Sequence, residues 1–501
     1  MFDKFPRAPS MRPFLNIGFP FDIQTGKYYT GKNGESILNG GLQHVTGIGG
    51  GGNLYKSTLL HFMHLTALDR YAAARGMVYD TEPPSCNYPR FEQLSARMPR
   101  LAGDDLKQRL LLTDSTVIVG NKWFKQLKEA IDFKLKSGKD GWADTPFLDE
   151  AGKPIRTLLP NIISIDSMSM FTSDNVQDIL DENEIGASGA NIEAMRGQGA
   201  KTQMLVQLPD MATGSNTFIM MTAHAGKQYQ LDARTPLQKQ LTFLKQDVKF
   251  KNVPEKFLFL TNNLWYAVGA SPMINRTTKA PEYPRNSSDD LSGDTDLMLV
   301  TFSNLRAKNG PSGIPFEVII SQSEGYLQAL SALHYLKNND RFGLGGHDRA
   351  YFCELRPDVS LQRTTVRGKL DSDAKLARAV EICAEICQMQ NLWSNLPTDL
   401  FCTPKELYDD LRMMGYDWEQ LLDTRGYWVY ENDKHPQNFL STKDLLMMRA
   451  GKYQPKWATR NTSNNPHGVT KAQVGLGPVT PAVELKPKHL VEATLGDVAA
   501  A

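Results

Sequence analysis

Gly47-Ile48-Gly49-Gly50-Gly51-Gly52-Asn53-Leu54-Tyr55-Lys56-Ser57-Thr58 is the stretch that decides the fold. Four glycines run from Gly49 to Gly52, and Leu59-Leu60-His61-Phe62-Met63 then opens as a buried helix. This is the layout of a phosphate-binding loop. Glycines let backbone N–H groups curl round phosphate oxygens, a lysine reaches the β- and γ-phosphates, and a hydroxyl holds Mg²⁺. Aligned on Lys56, the pattern G-x-x-x-x-G-K-[ST] starts at Gly50 and fails at one position, where Tyr55 replaces the second glycine. The residues around the phosphates are then Gly50, Gly51, Gly52, Asn53, Leu54, Tyr55, Lys56, Ser57 and Thr58.

The totals fit a globular chain of several domains, or of one large domain with appendages. Of 501 residues, 41% are hydrophobic and 22% charged. Lys+Arg number 56 against Asp+Glu 55, so a nucleic-acid partner requires a local basic surface. Five cysteines without C-x-x-C spacing point to a reduced, cytoplasmic setting, and Cys383 and Cys387 read as core residues of a helix. No apolar run approaches the ~18 residues of a membrane span, and Met1 to Pro6 contains no signal-peptide core.

Working outward, residues 1–45 are too few for a folded domain and read as a lead-in. A helix is expected from 57 to 76, capped by Gly76, followed by a strand over Met77-Val78-Tyr79. Thr116-Val117-Ile118-Val119 reads as a second strand, with Asn121 capping a helix to about Ser137. Asn161 to Asp166 is a third strand, 191–208 a helix, and Thr217 to Thr222 a fourth strand. Apolar strands alternating with helices predict an α/β fold with a mostly parallel central sheet. Phe257-Leu258-Phe259-Leu260, Leu297 to Val300 and Phe316 to Ile320 suit an antiparallel extension. Residues 371–451 form a helical region, with Thr403 capping the helix that starts at Pro404, and 452–501 read as a flexible polar tail.

Three side chains stand where chemistry is expected. Asp166 closes an apolar strand at its carboxyl end, where a carboxylate holds Mg²⁺ or caps the next turn. Glu82 ends the strand after the loop helix. There it either polarises a water molecule or lies as a surface acid before Pro83-Pro84. His224 follows the fourth strand and either senses a phosphate or is structural. Residues 225–256 hold Lys227, Arg234, Lys239, Lys245, Lys249, Lys251 and Lys256 against Asp232, Asp247 and Glu255, seven minus three, or +4. Tyr229, Phe243 and Phe250 interleave with them, the composition of a single-strand-binding surface or of an ordinary solvated loop.

The order of these features resembles the RecA family of recombinases, and most closely its phage UvsX-like branch. The resemblance rests on five pieces. They are Phe14-Leu15-Asn16-Ile17 with Leu38 to Leu42, the loop Gly50 to Ser57, Asp80-Thr81-Glu82, Ile163 to Ser167, and Gly214 to Ile219. An aromatic residue before the lysine is a trait of that branch, which accounts for Tyr55. The resemblance covers about residues 14–330 and implies a RecA-like P-loop NTPase core over 46–370. It implies a DNA-dependent ATPase and homologous recombinase that binds ATP and Mg²⁺ and polymerises on single-stranded DNA for exchange with a duplex.

Several roles follow from the resemblance alone. Ser57 and Asp166 hold the metal, Glu82 activates water, Lys56 and His224 contact phosphate, and Arg306 and Lys308 reach the nucleotide of a neighbouring subunit. Glu184 to Gly199, including Arg196, would be the first DNA-binding loop, and the basic stretch the second. Residues 1–45 would assist polymerisation, and 371–451 would be an accessory domain for DNA capture or a mediator. Single-strand-binding and mediator proteins would be partners, in the cytoplasm of a phage-infected cell. The competing readings are a RecA-fold hexameric replicative helicase and a non-hydrolysing binding protein disabled by Tyr55.

Overall fold

The computed structural model describes residues 9–83, 87–101, 104–172, 189–228, 237–285, 294–392 and 396–460. Arg234, Tyr229, residues 184–188 of the first loop stretch, the side chain of Arg196 and the tail beyond Arg460 lie outside the described residues, while 189–199, expected as part of that loop, are helical.

A ten-stranded sheet organises the chain. In chain order its strands are β1 (Val45–Gly50), β2 (Arg75–Asp80), β3 (Leu110–Asp114), β4 (Asn161–Asp166) and β5 (Thr217–Lys227). They continue with β6 (Val248–Phe250), β7 (Asn263–Pro272), β8 (Leu297–Ala307), β9 (Pro315–Ser321) and β10 (Gly325–Tyr326). Across the sheet the order is β10-β9-β8-β7-β1-β5-β4-β2-β3, and β6 pairs with β5 alone. Neighbours from β7 to β3 are parallel, while β8, β9, β10 and β6 pair antiparallel. The fold is therefore α/β with a mostly parallel centre and an antiparallel extension. Strands β1 and β2 are adjacent in sequence, yet β5 and β4 stand between them. The chain runs from β1 out to β2 and β3, then returns through β4 and β5 to β7; the connections that leave the neighbours β1 and β5 lie on opposite faces, and such a switch opens a crevice at the carboxyl ends of the strands.

Helix α1 (Lys56–Arg70) covers one face of the sheet. Leu59, Leu60, Met63 and Leu68 pack there with Ile48, Val78, Ile162 and Phe218. Helices α2 (Gly120–Leu135) and α3 (Gly189–Gly214) cover the other, where Trp123, Leu127 and Leu208 meet Tyr79, Ile163, Ile165 and Met221. Central strands buried on both faces explain why β4 and β5 read as nearly unbroken apolar runs.

Four local expectations are corrected. Thr116 to Val119 is a turn, because the Asp114 carboxylate accepts the N–H groups of Thr116 and Val117 at 2.8 and 3.2 Å and folds the chain back. The strand is the preceding Leu110–Asp114. Residues 257–260 belong to a helical turn, Lys256–Leu260, with Phe257 and Leu258 buried, and the strand is Asn263–Pro272. A four-residue apolar run carries too little periodicity to separate the two. Helix α1 ends at Arg70, and Gly76 lies inside β2, where a side chain would collide with His64. Val119 occupies the N-cap of α2, so Asn121 lies inside the helix.

Residues 13–25 and 36–46 are buried almost throughout. Leu15, Ile17 and Phe21 join the core under α1, and the Trp428 indole N–H donates to the Phe14 carbonyl at 3.0 Å. Gln388, on helix α4 (Ala374–Asn391), donates to the Pro20 carbonyl at 3.0 Å. The helices beyond residue 370 bury Val380, Ile382, Ile386, Leu407 and Leu446 in one cluster with Ile319, Leu327 and Leu333 of the sheet side. Cys383 and Cys387 are buried on α4. The Thr403 hydroxyl caps the helix Pro404–Met413 in a full capping box. Among the described residues no helix is long and apolar enough to cross a membrane.

A shared core makes a concrete demand. Ile386→Ala removes a fully buried side chain and should cost about 2–5 kcal/mol. In urea, fluorescence from the sheet side and from the helical region should report one transition, shifted as a whole. Two separated transitions, with only the second shifted, would show that the helices fold apart from the sheet.

Candidate functional site

The parallel register gathers the polar residues. Gly50 stands opposite His224 of β5 and Ala267 of β7, and Asp80 stands opposite both Asp166 and Asp114. The carboxyl ends of β1, β2, β4 and β5 therefore carry Lys56, Glu82, Asp166 and His224 to one edge.

The loop divides into two parts. Strand glycines exist for packing: a side chain on Gly49 would stand 2.0 Å from the Phe250 ring, and one on Gly47 2.8 Å from Phe257. At Gly51 a side-chain carbon would meet only Leu54, in ordinary contact at 3.6 Å, and at Gly52 nothing lies within 4 Å. Tyr55 is the N-cap of α1 at φ 56° and ψ 24°, the left-handed conformation in which glycine is the ordinary choice. Holding a tyrosine there costs about 1–2 kcal/mol, and its half-buried ring packs with Leu54 against the core. So the αL geometry of the missing glycine is kept with a side chain attached. Lys56 is nearly buried and donates to the Gly51 carbonyl at 2.6 Å. Burial pushes its pKa down, opposed by the charges of Asp166 and Glu82.

Asp166 is buried and accepts a hydrogen bond from the Thr222 hydroxyl. Its other oxygen lies 3.8 Å from His61 Nε2, too far for a hydrogen bond. Burial keeps the pKa of His61 below its ordinary value, against the pull of Asp166 and Asp80. His64 is held at about 3 by burial and is bonded through Nδ1 to Ser164 Oγ at 2.7 Å. The Asp166–Ser167 peptide is cis.

Glu82 is the most engaged of the set. Its Oε1 accepts from Ser167 Oγ at 2.7 Å and lies 2.8 Å from His224 Nε2. Its backbone N–H donates to Asp80 at 2.8 Å. Burial pushes the carboxyl up, but hydrogen bonds from Ser167 and His224 and the charge of Lys56 outweigh it and hold Glu82 below the usual range. A carboxylate held ionised near a lysine and an open glycine loop can orient and deprotonate a water molecule.

The residues fit a phosphate group with Mg²⁺. Mg²⁺ takes one or two protein ligands beside waters and phosphate oxygens, and Ser57 and Asp166 would supply them. Among the described residues no three His, Cys, Asp or Glu side chains group closely enough to hold a metal by themselves.

Beyond His224, β5 continues to Lys227 and pairs with β6, forming a ribbon past the sheet edge. Lys227, Lys239, Lys245, Lys249, Lys251 and Lys256 are all exposed. Phe250 is not available for base stacking. It is buried against Gly49, with ring centroids 5.8 Å from Phe257 and 6.3 Å from Tyr266. Arg306 and Lys308 are not brought to the loop of their own chain. Arg306 stands opposite Leu264, which pairs with Gly47, and the Lys308 N–H donates to the Asn262 carbonyl at 3.0 Å. Both lie toward the amino end of β7, away from the carboxyl ends.

Ser167, Thr222 and His61 escaped the sequence reading. The signal available for His61 was a polar residue inside the apolar stripe of α1. In comparisons with known proteins, no family model and no curated protein matched the chain.

The contact between Gly49 and Phe250 joins the ribbon to the root of the loop. Gly49→Ala should destabilise the chain by about 1–3 kcal/mol through overpacking, and Phe250→Ala by about 3–5 kcal/mol. The double variant should cost less than the sum by about 1 kcal/mol or more, measured by urea denaturation. Additive losses would mean that the two residues do not touch.

Proposed function

We propose that the chain is a DNA-dependent ATPase of RecA-like type, acting as a homologous recombinase on single-stranded DNA. The observation that supports this best is the meeting of Lys56, Asp166, Glu82 and His224 at one sheet edge from which a basic ribbon rises.

In this reading Gly50 to Thr58 bind the triphosphate of ATP, and Lys56 leaves the Gly51 carbonyl for a phosphate oxygen. Ser57 and Asp166 would hold Mg²⁺, which when bound would supply positive charge against the phosphates. Glu82 accepts the proton of the attacking water, while Ser167 and His224 fix the orientation of its carboxylate. His224 also begins the extension of β5, so a shift in the ribbon moves the imidazole against Glu82. The ribbon lysines neutralise DNA phosphates. Arg306 and Lys308, remote from their own loop, would serve the nucleotide of a neighbouring subunit in a filament, stabilising charge on the transferred phosphoryl group. The cytoplasm of a phage-infected cell is the setting this reading implies.

Steady-state phosphate release with and without single-stranded DNA tests the proposal. Wild type should turn over ATP faster with DNA. Glu82→Gln should retain nucleotide binding and lose about 10²–10⁴-fold in turnover. Neutralising Lys245, Lys249 and Lys251 together should remove the stimulation. A wild-type chain that neither binds nor hydrolyses ATP would end the proposal.

A further inference from the structure

Helix α3 carries a buried cation that the chemistry above does not use. Lys201 is 8% exposed, and its Nζ donates to the carbonyls of Met168 at 3.2 Å, Ser169 at 3.4 Å and Asn252 at 2.9 Å. An ammonium group has three N–H donors and no acceptor, so each donor has one carbonyl. The carbonyls come from two segments far apart in sequence. Met168 and Ser169 follow the strand that ends in Asp166, and Asn252 lies just past the end of the ribbon.

The same segments are tied at further points. The Ser169 hydroxyl donates to the Lys251 carbonyl at 2.9 Å and accepts the His224 N–H at 2.8 Å. The Lys251 N–H donates to the His224 carbonyl at 2.8 Å, and the Met168 N–H to the Thr222 carbonyl at 2.9 Å. Both backbone groups of His224 are thus bound by residues that flank the Lys201 ammonium. Its side chain is the one beside Glu82.

We propose that Lys201 is a positioning residue: its ammonium staples the end of the basic ribbon to the segment after Asp166 and so fixes where His224 meets Glu82. The significance of this point rests on the roles given above to Glu82 and the ribbon, whereas the staple itself is a matter of structure.

A fully buried lysine without partners would shed its charge or turn outward. Here burial alone lowers the pKa to about 8, and the three carbonyls repay part of the desolvation. The charged groups on the surrounding elements are directed elsewhere. Asp166 holds Thr222, His224 holds Glu82, Lys128 of α2 donates to Gln207, and the stem of Lys251 lies over Gly226. A neutral side chain at 201 would leave three carbonyls short of a donor.

Hydrogen exchange on the full chain, without nucleotide or DNA, tests the staple separately from the proposed function. In Lys201→Met, amides of 222–228 and 248–253 should exchange about tenfold faster or more, while those of 59–70 stay within about twofold of wild type. Lys201→Arg, which keeps charge and donors, should recover most of the protection. Unchanged exchange in the ribbon, or equal acceleration in ribbon and α1, would overturn the proposal. Wild type alone supplies a second readout that needs no variant to fold. By ¹⁵N NMR of lysine Nζ, one slowly exchanging ammonium, assigned to Lys201, should titrate near pH 8. An ammonium of Lys201 that exchanges as fast as those of the exposed lysines would overturn it as well.

Discussion

The site depends on the register of four parallel strands. Asp80 is level with Asp166, Ile165 with Met221, and Gly50 with His224. A slip of one residue in any pair would turn its side chains to the opposite face of the sheet. Burial on both faces forbids that slip, because the apolar side chains of β4 and β5 fill two different cores. The position of Glu82 beside His224 is therefore set by hydrophobic packing well below it. Polar contacts at the edge, such as Thr81 Oγ1 with the backbone of Ser167, then refine the geometry.

The same constraint explains what was legible in the sequence. Strands β4 and β5 stood out because double-sided burial demands unbroken apolar runs. The glycines from Gly47 to Gly52 stood out because a phosphate-binding loop would need bare backbone, yet the structure divides them. Gly47 and Gly49 make room for Phe257 and Phe250, whereas Gly51 meets only Leu54 at an ordinary distance and Gly52 fronts open space. Nothing in a string of glycines separates these two uses. Strand β3 was misplaced because its edge position leaves Leu111 exposed, while the β-branched run after it is folded back by Asp114. The contact of Glu82 with His224 spans 142 positions, and no local pattern announces it. Phe250 looked like a stacking platform because aromatic residues among lysines have the same composition whether they face solvent or the sheet.

Residues 428 and 430 belong to the last part of the described chain, yet Trp428 and Tyr430 pack with Tyr71 at the end of α1. Asn216, which begins the turn into β5, donates to the Tyr430 hydroxyl at 2.9 Å. The irregular segment holding Trp428 and Tyr430 thus braces the helix that carries Lys56 and the strand that carries His224. A boundary near residue 370 is visible in the change from strands to helices, but not in the packing. The helices beyond it share their core with Ile319 of β9 and with Phe19, Ile23 and Leu38 from the start of the chain, so their apolar stripes alone could not show what they cover.

The proposed function requires that the Gly51–Lys56 loop and Asp166 together bind a nucleoside triphosphate with Mg²⁺. Isothermal titration of the full chain with a slowly hydrolysed ATP analogue, with and without Mg²⁺, measures this directly. Wild type should show Mg²⁺-dependent binding, Lys56→Ala should bind at least about tenfold more weakly, equivalent to about 1.4 kcal/mol, and Asp166→Asn should lose the Mg²⁺ dependence. Equal affinity in all three proteins, or no binding by wild type, would contradict it.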